Sequence, residues 1–249
     1  MESKILHGDC LLLMAELPDK CIDMILCDLP YGTTACEWDT IIPFADLWKQ
    51  YERIIKDNGA IVLTASQPFT SELVMSNRKL FRYEWIWEKD NSSNFQLVKY
   101  QPLKRHESAL VFYKKMPTYN PQGVISKKTV RSNKGKAGNL GHLTSEKKRD
   151  EYISEFENYP NSIIFFNREV GIHPTQKPVP LFEYLVRTYT DEGDLVLDNC
   201  AGSFTTAIAC INSNRRYICM EQDEKYFKMG QERIDTHTKP THKNNDNFF

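Results

Sequence analysis

The chain has 249 residues, of which 41% are apolar and 12% aromatic, enough for one α/β domain with an insertion or for two small domains. Its seven cysteines form no C-x-x-C pair, which argues against a disulfide framework and a zinc knuckle. No apolar run approaches membrane length and no secretory leader opens the chain, so we expect a cytoplasmic protein.

The net charge of −1 hides a strong segregation of charge along the chain. Between Lys99 and Arg149, thirteen Lys and Arg stand against two acids, a net +11 that leaves −12 for the remainder. Such a segment either binds a polyanion or is a solvated loop, and composition alone favours neither interpretation.

Apolar periodicity predicts alternating strands and helices. In the first half we expect strands at 4–6, 22–27, 60–65, 81–87 and 108–113, and helices at 11–17, 43–57 and 68–75. In the second half we expect strands at 162–166, 194–198 and 216–220, and helices at 179–190, 207–211 and 224–234. The stretch 117–159 has the poorest periodicity, and 236–249 is expected to be a frayed tail. This alternation indicates an α/β fold.

The first candidate site is Asp28-Leu29-Pro30-Tyr31, directly after the strand at 22–27. In open α/β sheets, ligands bind at the carboxyl ends of strands. Pro30 biases Leu29 towards extended geometry and has no N–H, so nearby carbonyls can accept hydrogen bonds from a ligand. Asp28 and such a carbonyl could hold an amino group while Tyr31 stacks on the attached ring.

The second candidate site is Asp198 to Thr206, where a strand, a turn of small residues and a helix start follow one another. Free N–H groups at such a helix start favour an anionic ligand group. Glu221, about twenty residues further on, ends the next strand and is suited to bind ribose hydroxyls. No G-x-G-x-x-G is present, which favours a ligand with a ribose and an α-carboxylate over a dinucleotide. Asp9 is another acid at a strand end, suited also to cap the following helix.

These motifs resemble those of the amino-group DNA methyltransferases that use S-adenosylmethionine, in their circularly permuted β class. Asp28-Leu29-Pro30-Tyr31 resembles the [DNS]-P-P-[YFW] motif of that family. The segment from His173 to Pro178 resembles its H-P-T-Q-K-P segment, and Asp198 to Thr206 resembles its D-x-x-x-G-S-G-T-T cofactor loop. With Glu221 and Asp9, the resemblance spans nearly the whole chain.

The resemblance implies a Rossmann-like class I methyltransferase fold, with helices on both faces of a mixed, mostly parallel sheet. It implies one catalytic domain over 1–249, a basic target-recognition region inserted at 115–162, and a flexible tail at 236–249. Two residues depart from the family pattern. Leu29 replaces a Pro, which keeps the backbone carbonyl. Phe204 replaces a Gly; we expect ordinary helical φ at this position, with the ring turned into the core.

Site residues also follow from the resemblance. The catalytic residues would be Asp28, Leu29, Pro30 and Tyr31. The cofactor-binding residues would be Asp9, Cys10, His173, Thr175, Lys177, Asp198, Cys200, Ala201, Gly202, Ser203, Thr205, Thr206 and Glu221. Among them, Lys177 would pair with the methionine carboxylate, or else be a solvated lysine before a helix. The DNA-binding residues would be Lys104, Arg105, Lys127, Lys128, Arg131, Lys134 and Lys136.

The implied reaction is methyl transfer to the N6 amino group of an adenine flipped out of double-stranded DNA. Three alternatives stay open: N4 methylation of cytosine, amino-methylation of RNA or of a protein glutamine, and a non-catalytic nucleic-acid-binding relative in which Phe204 marks a decayed cofactor loop. The resemblance also allows a homodimer and a restriction endonuclease counterpart, which no feature of the chain decides.

Overall fold

The computed structural model describes residues 1–32, 39–131, 152–169, 171 and 175–239. The chain forms two compact units, one containing the residues up to Asn120 and from Ser162 onward, the other Pro121–Asn161. Among the helices so described, none is long and apolar enough to cross a bilayer.

An eight-stranded sheet forms the centre of the first unit. The strands of the described residues are β1 Lys4–His7, β2 Ile22–Asp28, β3 Ile55–Ala65, β4 Phe81–Ser93, β5 Lys104–Phe112, β6 Ile125–Arg131, β7 Tyr152–Glu157, β8 Ile163–Phe165, β9 Leu195–Asp198 and β10 Arg216–Glu221. The order across the sheet is β1-β10-β9-β2-β3-β5-β4-β8. Only β5 runs antiparallel to its neighbours, so the predicted mixed, mostly parallel sheet is confirmed. The late strands β9 and β10 lie between β1 and β2, which is the permuted order.

Helices cover both faces of this sheet. They are α1 Cys10–Ala15, α2 Phe44–Ile54, α3 Phe69–Ser76, α4 Val179–Tyr189, α5 Thr205–Asn212 and α6 Glu224–Thr238. Successive residues of β2 point to opposite faces. Ile25 and Cys27 pack in the core cluster that contains residues of α1, α2 and α3, whereas Met24 and Leu26 pack with residues of α4 and α5. Burial on both faces explains the unbroken apolar sequence of β2.

The boundary between α2 and β3 differs from the prediction, which continued the helix to residue 57. The helix ends at Ile54 and β3 begins at Ile55. The parallel register between β2 and β3 shifts just after Ile55, so residues 56–59 form an irregularity in the strand. A Cβ on Gly59 would lie 2.7 Å from the carbonyl oxygen of Asp23, so the close approach of the two strands requires glycine. The apolar pair Ile54-Ile55 continues the helical stripe, which is why periodicity placed the helix end too late.

The hairpin formed by β4 and β5 is longer than predicted. We expected strands at 81–87 and 108–113, but the two strands continue until Ser93 pairs with Lys104. A turn of 3-10 helix, Phe95–Leu97, follows Asn94, whose φ is 66°. Polar residues on both outer strand ends concealed the alternation of apolar and polar positions.

The second unit contains the antiparallel pair β6 and β7, which the poor periodicity of 117–159 did not predict. At the end of the first unit, α6 continues to Thr238, so the predicted tail begins too early. The hydroxyls of Thr236 and Thr238 donate to the carbonyls of Glu232 and Ile234, which satisfies acceptors of the last turns. The tail beyond residue 239 lies outside the described residues.

Candidate active site

The carboxyl ends of four neighbouring parallel strands, β1, β10, β9 and β2, open onto a cavity of about 1380 Å³. Each strand end brings an acid to it: Asp9 just after β1, Asp28, Asp198 and Glu221. This is the edge at which open α/β sheets bind ligands. The two candidate sites found in the sequence therefore line one cavity.

Asp28 is held by donors on both carboxylate oxygens. Its Oδ1 accepts hydrogen bonds from the hydroxyls of Tyr31, at 2.8 Å, and of Thr64. Its Oδ2 accepts one from Lys177 Nζ at 2.6 Å. The Tyr31 hydroxyl also lies 3.1 Å from Thr64 Oγ1, so the three side chains form one network. Donors on both oxygens fix the orientation of the carboxylate at the cavity wall.

Lys177 is not the solvated lysine that one interpretation allowed. Its side chain is 7% exposed and lines the cavity, and its ammonium pairs with Asp28. Its pairing with a methionine carboxylate stays a prediction. Glu107 Oε2 is a second anionic neighbour at 3.4 Å. Burial alone would lower the pKa of Lys177, but the carboxylates of Asp28 and Glu107 outweigh it and the pKa is raised. Lys177 is therefore a buried cation of the Asp28 network.

Glu107 completes a chain of alternating charges: Asp28, Lys177, Glu107 and Lys89. Burial raises the pKa of Glu107, but the two lysines outweigh it and hold the pKa below its usual range. The buried Oε2 atom of Glu107 has the charge of Lys177 nearby yet accepts no hydrogen bond. Glu107 thus lies between two lysines, whereas its neighbour His106 is exposed.

The rest of the Asp28 motif divides between core and cavity. The Leu29 side chain is buried in the core, which explains why Leu can stand where Pro is commoner. Pro30 and Tyr31 line the cavity. The Tyr31 ring stacks on Phe69 with centroids 5.1 Å apart, so one face of the ring is already covered.

The loop after β9 is fixed from inside by Asp198. This carboxylate is buried, and it accepts hydrogen bonds from the Thr206 hydroxyl and the Cys200 N–H. Burial raises the pKa of Asp198 to about 7, although these hydrogen bonds act in the opposite direction. Thr206 is fully buried and does not line the cavity, so its predicted place among the ligand contacts is replaced by a role in holding the loop.

Phe204 has a left-handed backbone, with φ 58° and ψ 32°, so the expected helical φ is wrong. Its ring is fully buried, as expected, and it packs edge-on against Phe227. A Cβ on Gly230 would lie only 1.8 Å from Phe204 Cδ2, so Gly230 on α6 makes the space for this ring. A left-handed residue costs roughly 1–2 kcal/mol and burying a Phe side chain contributes roughly 1.5–3 kcal/mol. Burial therefore offsets the strain, and the loop keeps the turn that a Gly would form.

Glu221 and Asp9 are anchored by backbone donors at the cavity wall. Glu221 accepts from the N–H groups of Gly202, at 2.7 Å, and Asp223, at 2.8 Å, and burial raises its pKa. Asp9 accepts from the N–H groups of Leu11 and Leu12 and so caps α1. The other predicted cofactor residues that line the cavity are Cys10, Thr175, Cys200, Ala201, Gly202, Ser203 and Thr205. His173 lies outside the described residues.

The predicted DNA-binding residues belong to both units. Lys104 lines the cavity and contacts the Ser66 hydroxyl, and Arg105 pairs with Glu88 at 3.4 Å. Lys127, in the second unit, pairs with Glu157 at 3.1 Å. The side chains of Lys128 and Arg131, and all of Lys134 and Lys136, lie outside the part of the chain that the structure describes.

A family model described as DNA methylase, N6_N4_Mtase, matches residues 22–232. The chain belongs to this family. The DNA adenine methyltransferase YhdJ of Escherichia coli (strain K12) is 28% identical over 254 residues, covering 93% of this chain and 82% of YhdJ. The type II methyltransferase M.HpaI of Haemophilus parainfluenzae is 25% identical over 252 residues, covering 95% of this chain and 75% of M.HpaI.

Solved structures of DNA methyltransferases share the fold of this DNA methylase. The cytosine-N4-specific PvuII DNA methyltransferase superposes with a TM-score of 0.69 at 15% identity, over 95% of this chain and 91% of the other. The M1.HpyAVI–SAM complex superposes with a TM-score of 0.63 at 20% identity, over 93% and 98%. At these identities the likeness shows the fold, and it confirms the predicted class I methyltransferase architecture.

Sequence reasoning missed three side chains around Asp28 of this DNA methylase: Thr64, Lys89 and Glu107. Thr64 is the polar residue within the apolar stretch 60–65, which was the available signal. Lys89 and Glu107 lie outside the predicted strands at 81–87 and 108–113, and only the longer hairpin brings them together. No metal-binding group of His, Cys, Asp or Glu is found among the described residues.

Proposed function

We propose that this DNA methylase transfers a methyl group from S-adenosylmethionine to the N6 amino group of adenine in double-stranded DNA. The observation that carries the proposal is the oriented Asp28 carboxylate at the wall of a cavity that also holds the acids of a nucleoside-type site. An aspartate at the first motif position is the feature that the family resemblance connects with adenine. The adenine activity in the name of YhdJ, at 28% identity, supports the same base.

The lone pairs of Asp28 define where the target amino group can bind. Oδ1 already accepts from Tyr31 and Thr64, which fills its two lone pairs. Oδ2 accepts from Lys177 and keeps one lone pair. We therefore assign Oδ2 as the acceptor of one amino proton, with a main-chain carbonyl near Leu29 or Pro30 as the acceptor of the other.

An aromatic amine is a weak nucleophile because its lone pair is delocalised into the ring. Hydrogen bonds from both amino protons to these acceptors would localise the lone pair on nitrogen. The Asp28 carboxylate also stabilises the positive charge that develops on that nitrogen. The base has to leave the duplex to reach the cavity, at a cost of a few kcal/mol. Phosphate contacts of the basic residues, including those of the second unit, would offset that cost.

The residues present fit S-adenosylmethionine. This cofactor supplies an activated methyl group when it is bound. Glu221 would accept hydrogen bonds from the ribose hydroxyls, and each of its oxygens keeps a lone pair beside the backbone donor that it already binds. Asp9 would accept from the adenine amino group, and the loop from Cys200 to Thr205 would surround the methionine part. Acting on DNA, the enzyme would work in the cytoplasm.

Expression in a host that lacks other DNA methyltransferases, followed by methylome sequencing, tests the proposal. We expect N6-methyladenine at one recurring sequence, and no such mark in the same host expressing Asp28→Ala. N4-methylcytosine at a recurring sequence would overturn the assignment to adenine. An unmodified genome in the presence of folded wild-type protein would overturn the proposed activity on DNA.

A further inference from the structure

The tip of the β4–β5 hairpin exposes a ridge of large apolar side chains. We define this ridge as Phe95, Leu97, Val98 and Tyr100. Tyr100 is 85% exposed and Phe95 is 58% exposed, and both belong to the same segment of six residues. Single exposed apolar residues are ordinary on a protein surface, whereas a cluster of this kind marks an interaction site.

The ridge has a defined backbone that keeps these side chains outward. Asn94 starts it in the left-handed region, and Leu97 N–H donates to the Asn94 carbonyl at 2.9 Å. The N–H groups of Tyr100 and Gln101 both donate to the Leu97 carbonyl. The strand pairing of Ser93 with Lys104 closes the base of the tip. These hydrogen bonds pair backbone groups within the segment, while its apolar side chains stay exposed.

Position and charge indicate what the ridge binds. Ser93, Asn94 and Lys104, on the two sides of its base, line the cavity that contains Asp28. From 91 to 106 the sequence has Lys99, Lys104 and Arg105 but no acidic residue. Because Arg105 pairs with Glu88, Lys99 and Lys104 supply the positive charge of this segment. The ridge is thus an apolar projection beside two lysines, at the cavity that contains Asp28, and a polyanion fits their charge.

We propose that this ridge enters the DNA duplex beside the target base and fills the space that the base leaves. Apolar wedges inserted between base steps unstack the duplex, and aromatic rings replace lost base stacking. The inference rests on the proposed function and deepens it, since it names the element that opens the duplex. A second copy of this chain is the competing occupant of the same ridge.

The test compares wild type with a double variant, Phe95→Ala/Tyr100→Ala, on native and on heat-denatured DNA of the same genome. Both residues are exposed, so the variant should melt at the wild-type temperature. We expect methyl transfer to native duplex to fall at least about tenfold, and transfer to denatured DNA to stay within about twofold. Met116→Ala is the matched control, since Met116 is an equally exposed apolar residue on the loop after β5, and it should leave both rates unchanged.

Equal losses on both forms of DNA, or none on either, would overturn the wedge. Unwinding of a closed-circular plasmid that a type I topoisomerase relaxes in the presence of the protein, read as a change in linking number after the protein is removed, is a second measurement that needs no single-stranded substrate. Wild type should unwind the plasmid and the double variant should not; equal unwinding would overturn the proposal. So would a wild-type dimer in analytical ultracentrifugation that the double variant dissociates. A wild-type protein that methylates no DNA would instead refute the proposed function, which separates the two failures.

Discussion

Replacing Lys177 by Met removes the cation between the carboxylates of Asp28 and Glu107. Met keeps much of the length of the side chain, so the change is chiefly the loss of the ammonium group. Asp28 Oδ2 loses its 2.6 Å donor, and Glu107 keeps only Lys89. Breaking a buried ion pair costs about 3–5 kcal/mol. Because the Asp28 side chain is 22% exposed, we expect the lower end, about 3 kcal/mol, as the loss in unfolding free energy.

The same variant decides what Lys177 does. If it orients Asp28, as the structure indicates, the rate of methyl transfer should fall about a hundredfold while the Kd for S-adenosylmethionine stays within threefold. If Lys177 instead binds the methionine carboxylate, the Kd should rise at least about tenfold. Isothermal titration calorimetry with the cofactor, beside a methyl-transfer assay under single-turnover conditions, separates the two roles.

A double variant, Lys177→Met/Glu107→Gln, provides the control for folding. It removes one charge of each sign, so it should recover about 1–2 kcal/mol of the stability lost by Lys177→Met. It should not recover activity, because Asp28 still lacks its donor. A Lys177→Met protein that is as stable as wild type and active within threefold would refute the reasoning about this network.

Three further predictions concern stability and the hydrogen bonds of Asp28. Because burial raises the pKa of Asp198 to about 7, protonated Asp198 makes a contribution to the stability of the fold. That contribution is fully present below about pH 4 and is lost as the pH rises through 7. In thermal melts, Asp198→Asn should therefore lose less stability than wild type between pH 5 and 8. Gly230→Ala should cost about 1–3 kcal/mol in denaturant unfolding, since its Cβ would overlap Phe204. Tyr31→Phe removes one donor to Asp28 and should slow methyl transfer by up to about tenfold.

Each of these has its own control. A parallel fall of stability in wild type and Asp198→Asn would show that another group titrates. Combining Gly230→Ala with Phe204→Ala should be less costly than the sum of the single changes, and full additivity would contradict a direct clash. The thermal stability of Tyr31→Phe should stay close to that of wild type, because the ring still packs on Phe69.

Features of this protein that depend on neighbouring residues could be predicted from the sequence. The strand end at Asp28, the turn after Asp198 and the acid at Glu221 each follow from a local pattern of apolar, small and acidic residues. The parallel sheet then brings these strand ends to one edge. The resemblance to a known family supplied the permuted order.

Contacts between distant residues could not be predicted in the same way. Lys177 and Asp28 are 149 positions apart, and nothing near Lys177 in the sequence indicates a buried carboxylate partner. The backbone of Phe204 is a similar case. The cost of its left-handed φ is offset by burial of the ring in the space beside Gly230 on another helix. A rule for single residues therefore predicts the wrong backbone geometry.

The central claim is that Asp28 directs methyl transfer to an adenine amino group. Its most direct test incubates purified wild type and Asp28→Ala with unmethylated duplex DNA and isotopically labelled S-adenosylmethionine, then identifies the labelled nucleoside by mass spectrometry. We predict labelled N6-methyldeoxyadenosine with wild type and a loss of at least about a hundredfold with Asp28→Ala, whose cofactor Kd stays within threefold. Labelled N4-methyldeoxycytidine, or an Asp28→Ala rate within tenfold of wild type, would contradict the claim.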